Sequence, residues 1–163
     1  MYSSTVTFFV SALCALLLPY YVAGKVEIMS CDKEDITPGS ISLGTINAGG
    51  NMIKSSNLDV KEEINPGLVT IHLIINDENG DSMMEQNTDL CSMSSADMFK
   101  PYFQSFSQPE FNEGNCPITP GTYNSGDFEI KEIEDVEGTY TAIIEVLEGA
   151  KMLLRVTCNV KLE

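Results

Sequence analysis

The chain has 163 residues, a length typical of one domain, and its 24 acidic and 9 basic residues give a formal net charge of −15. So few cations disfavour a phosphate-tracking surface, and we expect no nucleic-acid partner. They also disfavour constitutive docking on an anionic membrane at neutral pH. The simplest role of the charge is to keep the protein soluble and monomeric through self-repulsion.

The first 24 residues have the pattern of a secretory signal peptide. Thr7 to Ala23 is nearly all apolar, the first charged side chain is Lys25, and Val22-Ala23-Gly24 offers small residues to a signal peptidase. We therefore predict a signal peptide over 1–24 and a single domain over 25–163, secreted or in the lysosomal lumen. No Lys or Arg precedes the apolar run, so a retained membrane anchor is the alternative. That run is barely long enough to span a membrane, and Pro19 interrupts it.

Four cysteines remain in the mature chain, since Cys14 leaves with the signal peptide. An even number in a secreted chain indicates two disulfides, and four cysteines allow three connectivities. Cys31 lies in the first predicted strand and Cys158 in the last, while Cys91 and Cys116 bracket an aromatic segment. The nested pairing of Cys31–Cys158 with Cys91–Cys116 fits this layout best. A zinc site is disfavoured because there is no C-x-x-C and only one histidine.

Strand and turn patterns alternate from Lys25 onward. The predicted strands of the first half are Val26–Cys31, Ser40–Ile46, Leu58–Ile64 and Leu68–Ile75, with turns at Pro38-Gly39, Ala48–Asn51 and Asn65–Gly67. In Leu68–Ile75, one face carries Val69, Ile71, Leu73 and Ile75, and the other carries Thr70 and His72. Asn76–Asp81 is acidic but fails the EF-hand spacing, because Gly80 at the sixth position would make Ile75 the first ligand. We predict a polar turn there.

Met83–Gln108 is the only helix candidate, with Ser94, Ser95 or Asp97 as its cap and Pro101 near its first turn. Its apolar side chains are Met98, Phe99, Tyr102, Phe103 and Phe106, with Met83, Met84 and Met93 nearby. This is more apolar surface than a short helix needs to dock, and methionine adapts to varied apolar shapes. We predict that the segment covers a cavity mouth. The alternative is that it only plugs one end of the domain.

The remaining chain predicts strands again, beginning at Tyr123. Those that follow are Phe128–Lys131, Gly138–Val146 and Met152–Leu162, with a hairpin turn at Glu148–Ala150. Their inward positions are Phe128 and Ile130; Tyr140, Ala142, Ile144 and Val146; and Met152, Leu154, Val156, Cys158 and Val160. About seven strands with regular turns and one short helix describe an all-β antiparallel sandwich.

Catalysis finds little support in the sequence. His72 is the only histidine and lies on the polar face of its strand, and no G-x-S-x-G, H-E-x-x-H or Gly-rich phosphate loop is present. Acidic pairs such as Glu62-Glu63 are expected in so acidic a chain and carry no weight as a glycosidase signature. The mature cysteines all fit disulfides. We expect no enzyme activity, no catalytic residue, no cofactor and no metal.

A family resemblance follows from the order of short motifs. Cys116-Pro117 followed by Gly121-Thr122-Tyr123 resembles the Cys-Pro…Gly-x-Tyr element of the ML (MD-2-related lipid-recognition) superfamily, most closely its ganglioside activator-like branch. Gly138-Thr139-Tyr140 is similar to the Gly-x-Tyr that opens the family's penultimate strand. Cys158 in a closing strand that ends Val160-Lys161-Leu162, and Ser30-Cys31-Asp32 near the mature start, complete the match.

The resemblance implies a β-cup, in which two antiparallel sheets splay around a lipid-holding cavity. Members are secreted or lysosomal carriers, transfer proteins, presenters of glycolipid to hydrolases, or lipid-sensing co-receptors. By position, Cys91–Cys116 corresponds to the helix-containing loop at the cavity mouth, and Cys31–Cys158 to the terminal disulfide. The chain departs from relatives that carry six or eight cysteines, and it has no Trp and no N-x-[ST] sequon.

We therefore expect a secreted lipid-binding protein that holds an acyl chain, sterol or glycolipid between two sheets, for transport, presentation or sensing. The expected cavity residues are Val69, Ile71, Leu73, Phe128, Ile130, Tyr140, Ile144, Met152, Leu154 and Val156, and the mouth residues are Met98, Phe99, Tyr102, Phe103 and Phe106. Expected partners are a lipid or other apolar small molecule; transient membrane contact and a receptor or hydrolase are compatible with the resemblance. The alternative is a secreted protein–protein interaction module with a filled core and no lipid ligand.

Overall fold

The computed structural model describes residues 25–55, 57–95, 116–124, 127–129 and 137–163. This part of the chain is almost entirely β-strand, with antiparallel pairing throughout and one short helix, which confirms the predicted all-β sandwich. The strands are β1 Val26–Asp35, β2 Ile41–Leu43, β3 Ile46–Gly49, β4 Met52–Ser55, β5 Asn57–Val60, β6 Val69–Asn76, β7 Ser82–Asp89, β8 Gly121–Asn124, β9 Asp127–Glu129, β10 Gly138–Glu148 and β11 Lys151–Leu162. The helix, α1, spans Leu90–Ser95.

One layer is a five-stranded sheet in the order β1-β11-β10-β6-β7. Its register places Ala142 opposite both Ile75 and Cys158, and Ile144 opposite both Leu73 and Val156. Residues that pair directly share a face, so the alternation predicted for β6 and β10 is confirmed. The face that carries these apolar side chains is called the inner face below.

The second layer consists of two three-stranded sheets, β2-β5-β8 and β3-β4-β9. Ile41 pairs with Val60, and Leu58 pairs with Tyr123; of these four, only Leu58 is not fully buried. The amide of Ile28 donates to the carbonyl of Gly50 at 2.6 Å, which joins β1 to the turn between β3 and β4. Buried residues of both layers form one continuous core.

A β-bulge at Leu153 interrupts the β10–β11 hairpin. Val146 pairs with Leu154, whereas the next residue, Leu147, pairs with Met152. The extra residue turns Leu153 into the core beside Leu154, and the two are 2% and 3% exposed. Met152 is consequently opposite Leu147, away from the inner face. The prediction that Met152 shares a face with Leu154 and Val156 is wrong for this reason.

Both predicted disulfides are confirmed. Cys31–Cys158 joins residues that are directly opposite each other in β1 and β11. Cys91–Cys116 ties α1 to the segment that leads into β8. The Cys116-Pro117 peptide bond is cis. The following Ile118 forms an antiparallel bridge with Ile64, whose amide donates to the Ile118 carbonyl at 3.0 Å.

The helix prediction was wrong at its beginning. Met83 and Met84 lie in β7, where Met84 pairs with Ile75 and is buried, so pairing with β6 overrides the helical pattern. The helix begins at Leu90, and the Asp89 carboxylate caps it by accepting a hydrogen bond from the Ser92 amide at 3.1 Å. Neither Ser94 nor Ser95 precedes the helix as a cap, since both lie inside it.

The described strands number eleven: Ser40–Ile46 is divided between β2 and β3, Met52–Ser55 adds β4, and Ser82–Asp89 adds β7 where the helix was predicted to begin, while the strand predicted at Tyr123 is β8. Several predictions fall on residues outside the described ranges: the signal peptide at 1–24, the cap Asp97, Ile130, and the mouth residues Met98, Phe99, Tyr102, Phe103 and Phe106. Within the ranges described, no helix is long and apolar enough to cross a membrane.

Candidate ligand-binding site

The inner face of the five-stranded sheet carries two adjacent apolar rows. One row is Ile71, Val146 and Leu154, and the next is Leu73, Ile144 and Val156. β-Branched and leucine side chains at every second position produce this face, since successive residues of a strand point to opposite sides. Seven of the predicted cavity residues therefore share one surface, namely Val69, Ile71, Leu73, Tyr140, Ile144, Leu154 and Val156.

Burial is uneven across this surface. Val69, Val146, Leu154 and Val156 are at most 6% exposed, whereas the paired Leu73 and Ile144 between them are only partly buried. Ile71 and Tyr140 are also partly buried. The middle of the inner face therefore keeps accessible apolar surface, whereas most of the residues around it are buried.

The opposing layer shows the same pattern. Leu43 pairs with Leu58 on the face that carries Ile41 and Val60, yet the first pair is only partly buried and the second is fully buried. A close-packed sandwich buries the facing side chains of both sheets. Apolar side chains on both layers thus retain surface that the described part of the chain does not cover.

A pocket of about 320 Å³ lies at one end of the sandwich, between the two layers. The end of β1, the β1–β2 connection, β2, the residue after β5 and the β11 bulge form its walls. Its lining residues are Asp35, Ile36, Thr37, Pro38, Ile41, Ser42, Lys61, Leu153 and Leu154. The volume lies at the lower end of the range typical of small-molecule sites, roughly 300–1,000 Å³.

The β1–β2 connection is fixed against the bulge. The amides of Ile36 and Thr37 donate to the Leu153 carbonyl at 2.9 and 3.1 Å. Gly39 packs so closely on Leu153 that a Cβ at this position would clash with that side chain. The pocket wall is therefore held by backbone hydrogen bonds and by close contact, and Ile36 remains 42% exposed at the rim.

Lys33 links the two layers beside this pocket. It pairs with Val156 in the register of β1 and β11, and its side chain is only 18% exposed. The ammonium group donates to the Leu43 carbonyl at 2.6 Å and to the Asp35 carboxylate at 2.7 Å. The charge of Asp35 is thus compensated at short range.

The outer face of the same sheet carries an ion-pair row of Glu34, Arg155, Glu145, His72 and Glu85. Arg155 donates to Glu145 from Nε at 3.0 Å and from Nη2 at 2.7 Å. The ring of His72 lies 3.0 Å from Glu145 through Nδ1 and 2.9 Å from Glu85 through Nε2. Glu34 lies 3.9 Å from Arg155.

Charge and burial shift the pKa values within this row. The hydrogen bond to Glu145 raises the pKa of His72 above 6.5, against the opposing effect of burial and with further support from Glu85. Burial would raise the pKa of Glu145, but hydrogen bonds from Arg155 and His72 outweigh it, and the pKa falls below 4.5. The sequence predicts only a surface histidine; its polar face is confirmed, but its side chain is just 18% exposed.

The polar turn predicted at Asn76–Asp81 is confirmed. The Asp77 carboxylate accepts hydrogen bonds from the amides of Asn79 and Asp81, both at 2.9 Å, and Gly80 adopts φ +86°. These bonds lower the pKa of Asp77, with the Asp81 amide contributing most. Among the described residues, no group of three or more His, Cys, Asp or Glu side chains is placed to hold a metal ion.

The structure brings together most of the predicted cavity residues that it describes. Phe128 belongs to β9 by its backbone, and its side chain lies outside what the structure describes, as does Ile130. Of the predicted set, only Leu154 also lines the pocket. Sequence reasoning missed the rest of the pocket lining, because Ile36, Pro38 and Lys61 lie in turns and strand ends without a periodic pattern.

Comparison with known proteins adds no assignment. No protein-family model matches the chain, and no curated protein sequence matches it significantly.

Proposed function

We propose that this chain is a secreted lipid-binding protein that holds an acyl chain, sterol or glycolipid in the apolar space between its two layers. The observation that carries the proposal is the partly buried Leu73–Ile144 pair near the middle of the inner face. In a filled sandwich these central positions would be the most buried ones. Surplus apolar surface at this place favours a ligand over a filled core.

The energetics fit a ligand without directional contacts. Burial of an acyl chain contributes about 0.8 kcal/mol per methylene, so apolar contact alone supplies most of the affinity for a long chain. Leu73, Ile144 and Ile71 would provide such contact from one layer, and Leu43 and Leu58 from the other. No catalytic group is needed, which agrees with a role in transport, presentation or sensing.

The two disulfides support the proposed extracellular or lysosomal location. Disulfides persist in oxidising environments, so their presence is compatible with a protein of either compartment. The motif resemblance to the ML superfamily adds an expectation of the same kind, and the sandwich fold is compatible with it.

Native protein secreted from eukaryotic cells tests the proposal directly. Mass spectrometry of its organic extract should identify a stoichiometric lipid, and delipidated protein should take up a fluorescent fatty acid with saturable binding. Absence of both copurified lipid and uptake would reject lipid binding and favour the interaction module with a filled core.

A matched pair of variants locates the ligand. Leu73→Trp places a large side chain on the inner face, whereas Ile74→Trp places the same group on the outer face of the same strand; both the leucine and the isoleucine are half-buried. We expect Leu73→Trp to weaken fatty-acid uptake at least tenfold and Ile74→Trp to change it less than twofold. If the two substitutions had equal effects on uptake, the ligand would not bind on the inner face.

A further inference from the structure

Lys61 differs from the other cations of the described structure. Each of the other cationic side chains that the structure describes has an acidic partner within 4.0 Å: Lys25 with Glu163, Lys33 with Asp35, Lys151 with Glu148, Arg155 with Glu145, and Lys161 with Glu163. Within the same set, Lys61 makes no such ion pair.

This ammonium group belongs to the pocket. Lys61 directly follows β5, and its amide donates to the Ser40 carbonyl at 2.8 Å, which fixes the backbone at the pocket wall. Its side chain is exposed and lines the pocket opening together with the apolar Ile36 and Pro38. The walls behind it are Ile41, Leu153 and Leu154, all at most 5% exposed.

Two acidic side chains at or near the pocket wall, Asp35 and Glu148, are each paired with another lysine. Asp35 lines the same pocket, but the Lys33 ammonium lies 2.7 Å from its carboxylate. Glu148, whose carboxylate faces Gly39, is paired with Lys151 at 3.5 Å. The pocket therefore combines apolar walls with one positive charge that has no acidic partner within 4.0 Å among the described residues.

We infer that this pocket binds the charged end of a single-chain anionic amphiphile, such as a fatty acid, with its carboxylate at Lys61 and its chain against Leu153 and Leu154. The inference rests on the proposed function and specifies its ligand class. The volume of about 320 Å³ corresponds to roughly ten water molecules at about 30 Å³ each, which suits one chain and not two.

Decanoate and decanol distinguish the contribution of the charge to binding from that of the apolar chain. They have similar apolar chains, and only decanoate is ionised at pH 7.5. Binding of each is measured by calorimetry on the delipidated, disulfide-intact protein and on two variants. Lys61→Gln removes the pocket charge, and Lys25→Gln removes an exposed lysine at the other end of β1 with the same change in net charge. Because Lys61 is exposed, we expect Lys61→Gln to weaken decanoate binding two- to fivefold. Decanol binding should change less than 1.5-fold.

Charge reversal sharpens the test. Lys61→Glu should weaken decanoate binding at least tenfold, and its far-ultraviolet circular dichroism should match the parent, since an exposed side chain is replaced. If Lys61→Gln and Lys25→Gln weaken decanoate binding equally, or if decanol loses affinity as much as decanoate, the inference fails while lipid binding stands. If the parent protein binds neither probe nor any longer fatty acid, the inference fails, and if its organic extract also contains no lipid, the proposed function fails with it.

Discussion

The substitution Glu145→Gln tests whether the ion-pair row stabilises the fold. The Glu145 side chain is 11% exposed and accepts three charge-assisted hydrogen bonds, two from Arg155 and one from His72. Glutamine keeps the shape and an acceptor oxygen but removes the negative charge. Two cationic partners would then lose their compensation on the outer face of β10.

The expected cost is about 2 kcal/mol of unfolding free energy. Hydrogen bonds to charged groups contribute roughly 1.5–3 kcal/mol, and the lower part of this range applies because Arg155 is 40% exposed and screened by solvent. Glu85→Gln is the matched control, since Glu85 is 61% exposed and contacts the same histidine. Its cost should stay below about 0.5 kcal/mol.

The contribution of the ion-pair row to the free energy of unfolding depends on pH in a direction that the pKa shifts determine. The raised pKa of His72 means that its contribution is fully present below pH 6.5 and is lost as the pH rises through the folded-state pKa. The lowered pKa of Glu145 means that its contribution is fully present above pH 4.5 and is lost as the pH falls through its folded-state pKa. The row therefore stabilises the protein most between pH 4.5 and 6.5, and the effect of Glu145→Gln should shrink by pH 8.5.

Urea unfolding at pH 5.5 and pH 8.5, at one ionic strength and with disulfides intact, measures these differences. A constant denaturant slope would show that the variants change stability and not the compactness of the unfolded state. The reasoning is refuted if Glu145→Gln costs less than about 0.5 kcal/mol at pH 5.5, or if its cost is larger at pH 8.5.

Two further substitutions test the pocket wall and the disulfides. Gly39→Ala should cost about 1–3 kcal/mol by overpacking against Leu153, whereas Gly49→Ala, with open space around it, should stay within about 0.5 kcal/mol; equal melting temperatures would contradict the close contact. Replacing Cys31 and Cys158 by Ser should lower the free energy of unfolding by about 5 kcal/mol, and replacing Cys91 and Cys116 should lower it by about 3.5 kcal/mol. The difference follows from the lengths of the closed loops, whose sequence separations are 127 and 25. A larger loss for the shorter loop in denaturant titration would show that loop entropy is not the main source of the stabilisation.

The regular strands were predictable from the sequence. Alternation along β6 and β10 placed Ile71, Leu73 and Ile144 on one face, and the register confirms it. The Cys31–Cys158 disulfide followed from the order of the predicted strands, and Cys91–Cys116 followed from the aromatic segment that these two cysteines bracket. These features depend on local periodicity and on the placement of cysteines at the two ends of the fold, both of which the sequence contains.

The bulge was not predictable from the same alternation. A three-residue turn without a bulge would place Val146 and Leu154 on the inner face. The observed two-residue turn followed by a bulge places them on the same face, so alternation does not distinguish the two arrangements. The choice depends on long-range contacts, since the bulge buries Leu153 against Gly39 and places Arg155 opposite Glu145. The pocket wall at Leu153 depends on this bulge, which is why the sequence did not predict it.

The helix was misplaced for a related reason. The acidic turn at Asn76–Asp81 implies a hairpin, and its second strand must follow directly. That strand is β7, whose sequence lacks a clean alternation because most of its side chains are exposed at the sheet edge. Local pattern alone therefore extended the helix back to Met83.

The pairing of β1 with β11 also sets where the protein can be tethered. Lys25 and Glu163 exchange two backbone hydrogen bonds, so these residues lie side by side at one end of the sandwich. The pocket lies at the other end of β1, where Asp35 pairs with Leu154, about 30 Å away for a strand of ten residues. A surface or a fusion partner attached beside Glu163 would therefore lie at the end of the sandwich remote from the pocket, which leaves the pocket end accessible to vesicles in solution.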